Sequence, residues 1–190
     1  MSQQTEQLLD NGLRPACRYI TTHDSDGRTD FSDAIPQPLR WQQLANGARF
    51  SLAYATEEQP VNMTEDKDLG IYAKNLDHLP GVFIPGGTVL RMVDLNPGST
   101  SPMHRTISCD YGVVLEGEVE LILDSGEKTL LKRGDITIQR GTNHAWRNTS
   151  DTEWARMLYF LQEAQPLSFN GKLLGEDYGG GMDEVKPSKR

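Results

Sequence analysis

The chain has 190 residues (21.2 kDa), a formal net charge of −8 and a pI near 5.0, which suits one core-forming domain with extensions and argues against nucleic acid or an anionic membrane surface as a partner. No apolar run approaches the roughly 18 residues that a membrane helix needs, and the N-terminus resembles no secretory signal. The two cysteines, Cys17 and Cys109, lie far apart in the sequence, so we expect a reduced, cytoplasmic protein without disulfides.

Short β-branched and aromatic runs between turn-forming residues predict an all-β chain from Arg18 onward. An N-terminal hairpin is expected from residues 18–22 and 29–31, on either side of a turn at 24–27. Residues 57–68 are polar and predict a loop, and helical periodicity is scarce. The further predicted strands are, in chain order, 49–56, 88–95, 111–115, 118–123, 128–131, 135–139, 144–148 and 154–161.

Many short strands at this spacing indicate a sandwich or barrel. Residues 46–164 are predicted to form it, with the densest part at 79–162. Residues 1–45 are predicted to form an N-terminal arm that includes the hairpin. Residues 165–190 turn to Gly, Asp, Glu and Lys and predict a tail that is mobile or used at an interface.

Two short stretches carry the candidate chemistry. The spaced residues of the first are Gly98, His104, Thr106, Asp110 and Gly117, and those of the second are Gly134, Arg140, Gly141, His144 and Asn148. Residues two apart in one strand share a face, so His104 and Thr106 are expected to point the same way. By the same rule His144, Trp146 and Asn148 share a face.

Together these stretches resemble the two motifs of the cupin superfamily, over residues 88–161. In that family the first motif supplies two histidines and a glutamate to a metal, and the second motif supplies a third histidine. Here Thr106 stands at the second histidine position and Asp110 at the glutamate position. The resemblance implies a single cupin jelly roll that pairs as a homodimer. Its N-terminal strands would cross to the partner and cover a sheet edge that an isolated barrel leaves open. The residue sequences of the two stretches also resemble those of a branch of small bacterial and fungal single-domain cupins. Some members of that branch accompany secondary-metabolite pathways.

The resemblance implies that His104, Asp110 and His144 hold a divalent transition metal and act as the catalytic groups. Two histidines and one carboxylate are typical of non-haem iron sites with open coordination positions, while zinc, manganese, nickel and copper also suit these ligands. A barrel without metal stays an alternative, with the histidines as acid–base groups. The residues predicted to bind substrate are Thr106, Trp146, Arg140 and Asn148.

Simpler interpretations stand beside these. Asp110 could cap a turn, Trp146 could be a core aromatic, and Arg140 could be a surface arginine. The leading functional hypothesis is a metal-dependent oxidoreductase of the dioxygenase type, acting on an aromatic or polyketide-like small molecule. The alternatives are a metal-assisted dehydratase, isomerase or decarboxylase, and a metal-free ligand-binding or sensor protein. Arg91 lies in the strand before the first motif. The side of the sheet to which its side chain points depends on the strand register, which the sequence leaves open.

Overall fold

The computed structural model of the protein describes residues 11–180, 182 and 184–188. Its helical part is a 3-10 turn at Thr64–Asp66 followed by helix α1, Lys67–Asp77. Its strands are β1 Thr21–His23, β2 Thr29–Phe31, β3 Gln42–Gln43, β4 Arg49–Thr56, β5 Thr88–Leu95, β6 Ser108–Glu116, β7 Glu118–Leu123, β8 Lys128–Lys132, β9 Ile136–Arg140, β10 His144–Asn148, β11 Ala155–Glu163, β12 Ser168–Phe169 and β13 Lys172–Leu173.

Two antiparallel sheets form the body of the protein. The larger sheet has the strand order β3-β4-β5-β11-β6-β9, and the smaller has the order β10-β7-β8. Their inner faces meet in one apolar cluster, which includes Val93 and Met157 from the large sheet and Val119 and Trp146 from the small one. The predicted all-β jelly roll is therefore confirmed.

Strand alternation decides which side chains enter this core. Along β6, Asp110 and Gly112 are buried, whereas Tyr111 between them is exposed on the outer face. Gly112 pairs with Tyr159 and Thr137 on the neighbouring strands. A Cβ at position 112 would lie 2.8 Å from Thr137 Oγ1 and 3.0 Å from Tyr159 Cε1. Glycine is thus required for the Tyr159 ring to lie across the sheet.

The predicted N-terminal hairpin is present as the antiparallel pair β1–β2, in which Thr21 is opposite Phe31. Asp24 stabilises its turn, because the carboxylate accepts hydrogen bonds from the backbone N–H groups of Asp26 and Arg28, each at 2.9 Å. Residues 1–10 of the predicted arm lie outside the described residues. Its following part is fastened to the barrel, since Arg156 Nη1 donates to the carbonyl of Arg14 at 2.6 Å.

The segment after β4 departs from the sequence prediction. Residues 57–63 are irregular as expected, but Lys67–Asp77 forms α1, which the sequence analysis did not predict. Tyr72 is fully buried and donates its hydroxyl hydrogen to the carbonyl of Leu52 at 2.8 Å. Its ring packs at a tilt against that of Tyr54, with ring centroids 4.7 Å apart. Packing of this one face on β4 stabilises a helix of modest intrinsic propensity.

The C-terminal segment packs across one end of the barrel. Met182 and Val185 are buried in a second apolar cluster together with Leu44 and Val82. The backbones of Arg105 and Asp177 form two hydrogen bonds, at 2.6 and 2.9 Å, which join this segment to the first motif. Residues 181, 183, 189 and 190 of the predicted tail lie outside the described residues.

Cys17 is an exposed free thiol, and Cys109 is a partly buried one. In the described part of the chain, no helix is long and apolar enough to cross a membrane. The cytoplasmic location stays a prediction.

Candidate functional site

The two motif histidines face each other inside the barrel. His104 lies in an isolated bridge with His144, the first residue of β10, and their backbones exchange hydrogen bonds at 2.8 and 2.9 Å. Their imidazole centroids are 4.4 Å apart, and both residues are buried. The antiparallel bridge thus brings together two residues that lie far apart in the sequence.

Backbone carbonyls set the tautomer of both imidazoles. His104 Nδ1 lies 2.8 Å from the carbonyl oxygen of Pro102, and His144 Nδ1 lies 2.9 Å from that of Thr142. A carbonyl only accepts, so each Nδ1 carries the proton and each Nε2 keeps a lone pair. Burial lowers the pKa of both groups, and burial together with the neighbouring His104 lowers the pKa of His144 to about 4. Both imidazoles are therefore neutral at pH 7.

Asp110 is the buried carboxyl group of the same cavity. Its Oδ2 accepts a hydrogen bond from Thr106 Oγ1 at 3.2 Å, and Ser108 Oγ in turn donates to Thr106 Oγ1 at 2.8 Å. Its Oδ1 is buried and has no hydrogen-bond partner among the described residues. Burial raises the pKa of this carboxyl to about 6, although the two hydroxyl groups oppose the shift. Thr106, at the second histidine position of the family motif, thus orients the carboxyl group.

The predicted three-ligand set is only partly brought together. Within the described ranges, no three His, Cys, Asp or Glu side chains lie close enough to form a metal site. His104 and His144 are paired, whereas Asp110 lines the same cavity without joining them as a third ligand. The donor chemistry of the pair still fits a divalent transition metal, because the carbonyls of Pro102 and Thr142 hold both imidazoles in the tautomer that binds metals through Nε2. The unpartnered Oδ1 of Asp110 is the remaining open donor.

A cavity of about 80 Å³ adjoins these groups. His104, Thr106, Asp110 and His144 form its polar wall. The rest of its wall is mostly apolar and includes Phe50, Val93, Leu95, Trp146, Tyr159 and Met182. Such a lining suits an organic molecule with few polar groups. The Trp146 ring meets the His144 ring edge-on, with centroids 5.5 Å apart, so this predicted substrate-binding residue does lie on the cavity wall.

Two predicted substrate-binding residues lie elsewhere. Arg140 is exposed at the end of β9, where the pairing of Asp110 with Gln139 turns Gln139 inward instead. Asn148 shares the inner face with His144 as predicted, but its amide donates to the carbonyls of Leu95, Asn96 and Glu153 at 3.0, 3.2 and 2.8 Å. These bonds occupy the amide in holding two loops together, away from the cavity. Neither residue is among those that line the cavity, so their roles in substrate binding stay predictions.

Arg91 and Tyr159 also line the cavity and were not assigned to the site from the sequence. They are directly opposite each other on β5 and β11. Burial raises the pKa of Tyr159 well above its usual value and lowers that of Arg91 to about 10. The alternation of residues in β5 could have indicated the inward position of Arg91, because residues two apart share a face and Val89 and Val93 on either side of it are buried.

Comparison with known proteins identifies the family to which this barrel belongs. Residues 91–160 match the family model described as Cupin domain. Phomopsin biosynthesis cluster protein D of Diaporthe leptostromiformis is 52% identical over 176 residues, which cover 93% of each chain. The chain belongs to the cupin family.

Further relatives carry names of two kinds. Oryzines biosynthesis cluster protein J of Aspergillus oryzae is 48% identical over 162 residues, covering 85% of this chain and 90% of that one. The protein named Cupin-domain-containing oxidoreductase srdB of Neurospora crassa is 44% identical over 173 residues, covering 91% of this chain and 86% of that one. The similarity extends well beyond the residues that the family model matches.

Proposed function

We propose that this cupin is an oxidoreductase that acts on a small organic molecule during the biosynthesis of a secondary metabolite. The observation that carries the proposal is the buried pair His104 and His144, whose Nδ1 atoms are both engaged by backbone carbonyls. The names of the relatives support it, since one is called an oxidoreductase and others are named for biosynthesis clusters.

In this proposal His104 and His144 hold a divalent transition metal, with iron as the first choice, and Asp110 is the candidate third donor. Two imidazoles and one carboxylate suit ferrous iron and leave coordination positions open. When bound, the metal would supply the redox chemistry of a dioxygenase.

The chain's own residues have separate tasks. Thr106 holds Oδ2 of Asp110, so that Oδ1 is the carboxylate atom left to bind the metal. The apolar wall, including Trp146 and Phe50, excludes water and orients the apolar part of the substrate. Because both imidazoles are neutral at pH 7, they bring no positive charge that would oppose metal binding.

A second candidate function is a dehydratase, isomerase or decarboxylase. The observation that favours it is the buried carboxyl group of Asp110, whose Oδ1 has no hydrogen-bond partner among the described residues and whose pKa burial raises to about 6. A carboxyl group with a pKa near the operating pH is suited to general acid–base catalysis. Oxygen consumption separates the two candidates, because a lyase or isomerase turns over without it.

Metal analysis of protein purified without chelators tests the proposal. We expect close to one equivalent of a transition metal in the wild type and loss of it in His144→Ala. Thr106→Ala is the matched control and should keep the metal, since Thr106 is none of the proposed ligands and its hydroxyl group hydrogen-bonds to Asp110 and Ser108. Less than about a tenth of an equivalent, with no uptake on adding ferrous iron, would refute a metal-dependent enzyme and leave the metal-free binding protein.

An oxygen electrode tests the reaction class. Metal-loaded protein is mixed with phenolic and polyketide-like candidates, and His144→Ala serves as the blank. Substrate-dependent oxygen uptake by the wild type alone supports the dioxygenase. Product formation without oxygen uptake would favour the acid–base alternative.

We also propose that the protein is a homodimer. The outer face of the large sheet exposes Ile136, Ile138, Tyr111 and Phe160 on adjacent strands. Exposed apolar groups on neighbouring strands are typical of protein–protein interfaces. A second copy of the chain is the expected occupant of this face.

A further inference from the structure

Arg91 is a buried cation whose counter-charge is missing from the described residues. Its residue exposure is 8%, and it lines the cavity that contains the histidine pair. Its Nη2 donates to the carbonyl of Gly81 at 3.0 Å, and its guanidinium lies 5.3 Å from the centroid of the Phe50 ring. Its Nε is buried and finds no hydrogen-bond partner in the described part of the chain.

The neighbouring ionisable groups do not neutralise it. Tyr178 acts on Arg91 electrostatically, but its pKa is raised to about 12, chiefly by burial, so it stays a neutral phenol at pH 7. Of the two described carboxylates that adjoin Arg91 in the outer depression, Asp77 binds Arg40 at 3.1 Å and Glu184 accepts from the N–H of Ala45 at 2.9 Å.

Another buried arginine shows the usual arrangement. Arg156 forms a two-pronged ion pair with Asp94, with Nε and Nη2 at 2.6 and 2.7 Å from its two carboxylate oxygens. Burying a charge without such a partner is costly. An arginine that is buried beside a cavity, with no carboxylate partner among the described residues, is therefore explained when a ligand supplies the anion.

We propose that Arg91 binds the carboxylate of a small organic acid whose apolar part lies in the histidine cavity. The guanidinium is planar and presents paired donors that match a carboxylate. A phosphate group fits this cavity less well, because Arg91 is the one Lys or Arg side chain among the described residues that line it and the rest of its wall is mostly apolar. This inference names the class of substrate for the proposed function. It rests on that function for the reaction, whereas the binding of the carboxylate stands on the observations above.

The position of Arg91 suits such an anchor. Besides the histidine cavity it lines an outer depression of about 400 Å³, whose wall includes Trp41, His78 and Lys186. Arg91 thus borders both this depression and the cavity that contains the histidine pair. A carboxylate held there leaves the other end of the ligand free to approach His104 and His144.

Binding of matched acids and amides tests the inference. Hexanoate and benzoate are titrated calorimetrically into the full chain and compared with hexanamide and benzamide, which keep the shape and lose the charge. We expect the acids to bind the wild type roughly 10- to 100-fold more tightly than the amides. Arg91→Met should abolish this preference, and Arg91→Lys should restore part of it. Equal affinity of acid and amide for the wild type would overturn the inference without recourse to any variant.

Thermal unfolding distinguishes an anchor from a structural arginine. Without ligand, Arg91→Met should melt at or above the wild-type temperature, because it removes an unpaired buried charge. Hexanoate should raise the melting temperature of the wild type and leave that of Arg91→Met unchanged. A ligand-free Arg91→Met that melts well below the wild type, with an undiminished shift in hexanoate, would show a structural role and overturn the inference.

Metal content separates this inference from the proposed function. Arg91→Met should keep its metal, and His144→Ala should lose its metal yet still prefer hexanoate to hexanamide. A metal-free wild type that retains the acid preference refutes the metalloenzyme alone. A metal-loaded wild type that binds acid and amide alike refutes the carboxylate anchor alone.

Discussion

The replacement of Asn148 by alanine tests whether this residue is structural or binds substrate. Asn148 is 1% exposed, and its amide donates to three carbonyls while its Oδ1 accepts from the N–H of Ser150 at 3.1 Å. An unsatisfied buried carbonyl costs about 1–3 kcal/mol, and a retained hydrogen bond contributes about 1 kcal/mol. Since two hydrogens are shared by three carbonyls, we expect a loss of about 2–4 kcal/mol in the free energy of unfolding.

Urea unfolding followed by tryptophan fluorescence measures this loss. For a chain of this size the change corresponds to a melting temperature lowered by about 4–16 °C. Asn148→Asp should be at least as destabilised at pH 7, because it turns a carboxylate oxygen toward the same carbonyls. Asn62→Ala is the matched control: it removes one exposed hydrogen bond to Thr64 N–H and should cost under about 1 kcal/mol. Wild-type stability of Asn148→Ala together with lost ligand binding would refute the structural role.

Three further predictions concern packing, protonation and assembly. Gly112→Ala should lower the free energy of unfolding by about 1–3 kcal/mol, because its Cβ would collide with Tyr159. In the metal-free protein, burial raises the pKa of Asp110 to about 6. Between about pH 4 and pH 6 the folded chain therefore keeps a proton on Asp110 that the unfolded chain has lost. The contribution of Asp110 to the free energy of unfolding falls as the pH rises through this range. The pKa of His144 is lowered to about 4, so the contribution of His144 to the free energy of unfolding rises with pH. In Asp110→Asn, the free energy of unfolding should therefore rise more steeply with pH than in the wild type. Ile138→Glu should convert a dimer into a monomer in light scattering after gel filtration.

Each of these has a distinct contrary result. Gly112→Ala with wild-type stability would mean that the Tyr159 ring shifts freely. Identical pH slopes for the wild type and Asp110→Asn, from urea unfolding in the presence of EDTA, would mean that Asp110 titrates normally. A monomeric wild type would refute the proposed dimer. Thr129→Glu adds the same charge at an exposed position of β8 and is the control.

Much of the barrel could be predicted because alternation is visible in single strands. Strands β5 and β10 have the bounds that the sequence predicts, and the motif spacing brought His104 and His144 together. Helix α1 was missed even though Leu69, Tyr72 and Leu76 have helical spacing, since Gly70 and Asn75 are poor helix formers. Its stability comes from packing on β4, a tertiary contact.

The site was harder to predict than the fold because register decides what faces inward. The pairing of Asp110 with Gln139 turns Arg140 outward, and the pairing of Leu52 and Tyr159 with Arg91 turns that arginine inward. The distance of Asp110 from the histidines depends on how β6 lies relative to the residues before it. Spacing in one sequence contains none of these quantities.

The way β5 is paired has a consequence for comparing members of the family. The family match starts at residue 91, inside β5, whereas the neighbouring strand β4 lies wholly outside the matched residues. Phe50, which lies against the Arg91 guanidinium, and Leu44 on the cavity wall come from this unmatched part. Relatives can therefore share the histidine pair and Arg91 and still select different molecules, because the family match does not include β4 and the residues before it, which form another part of the cavity wall.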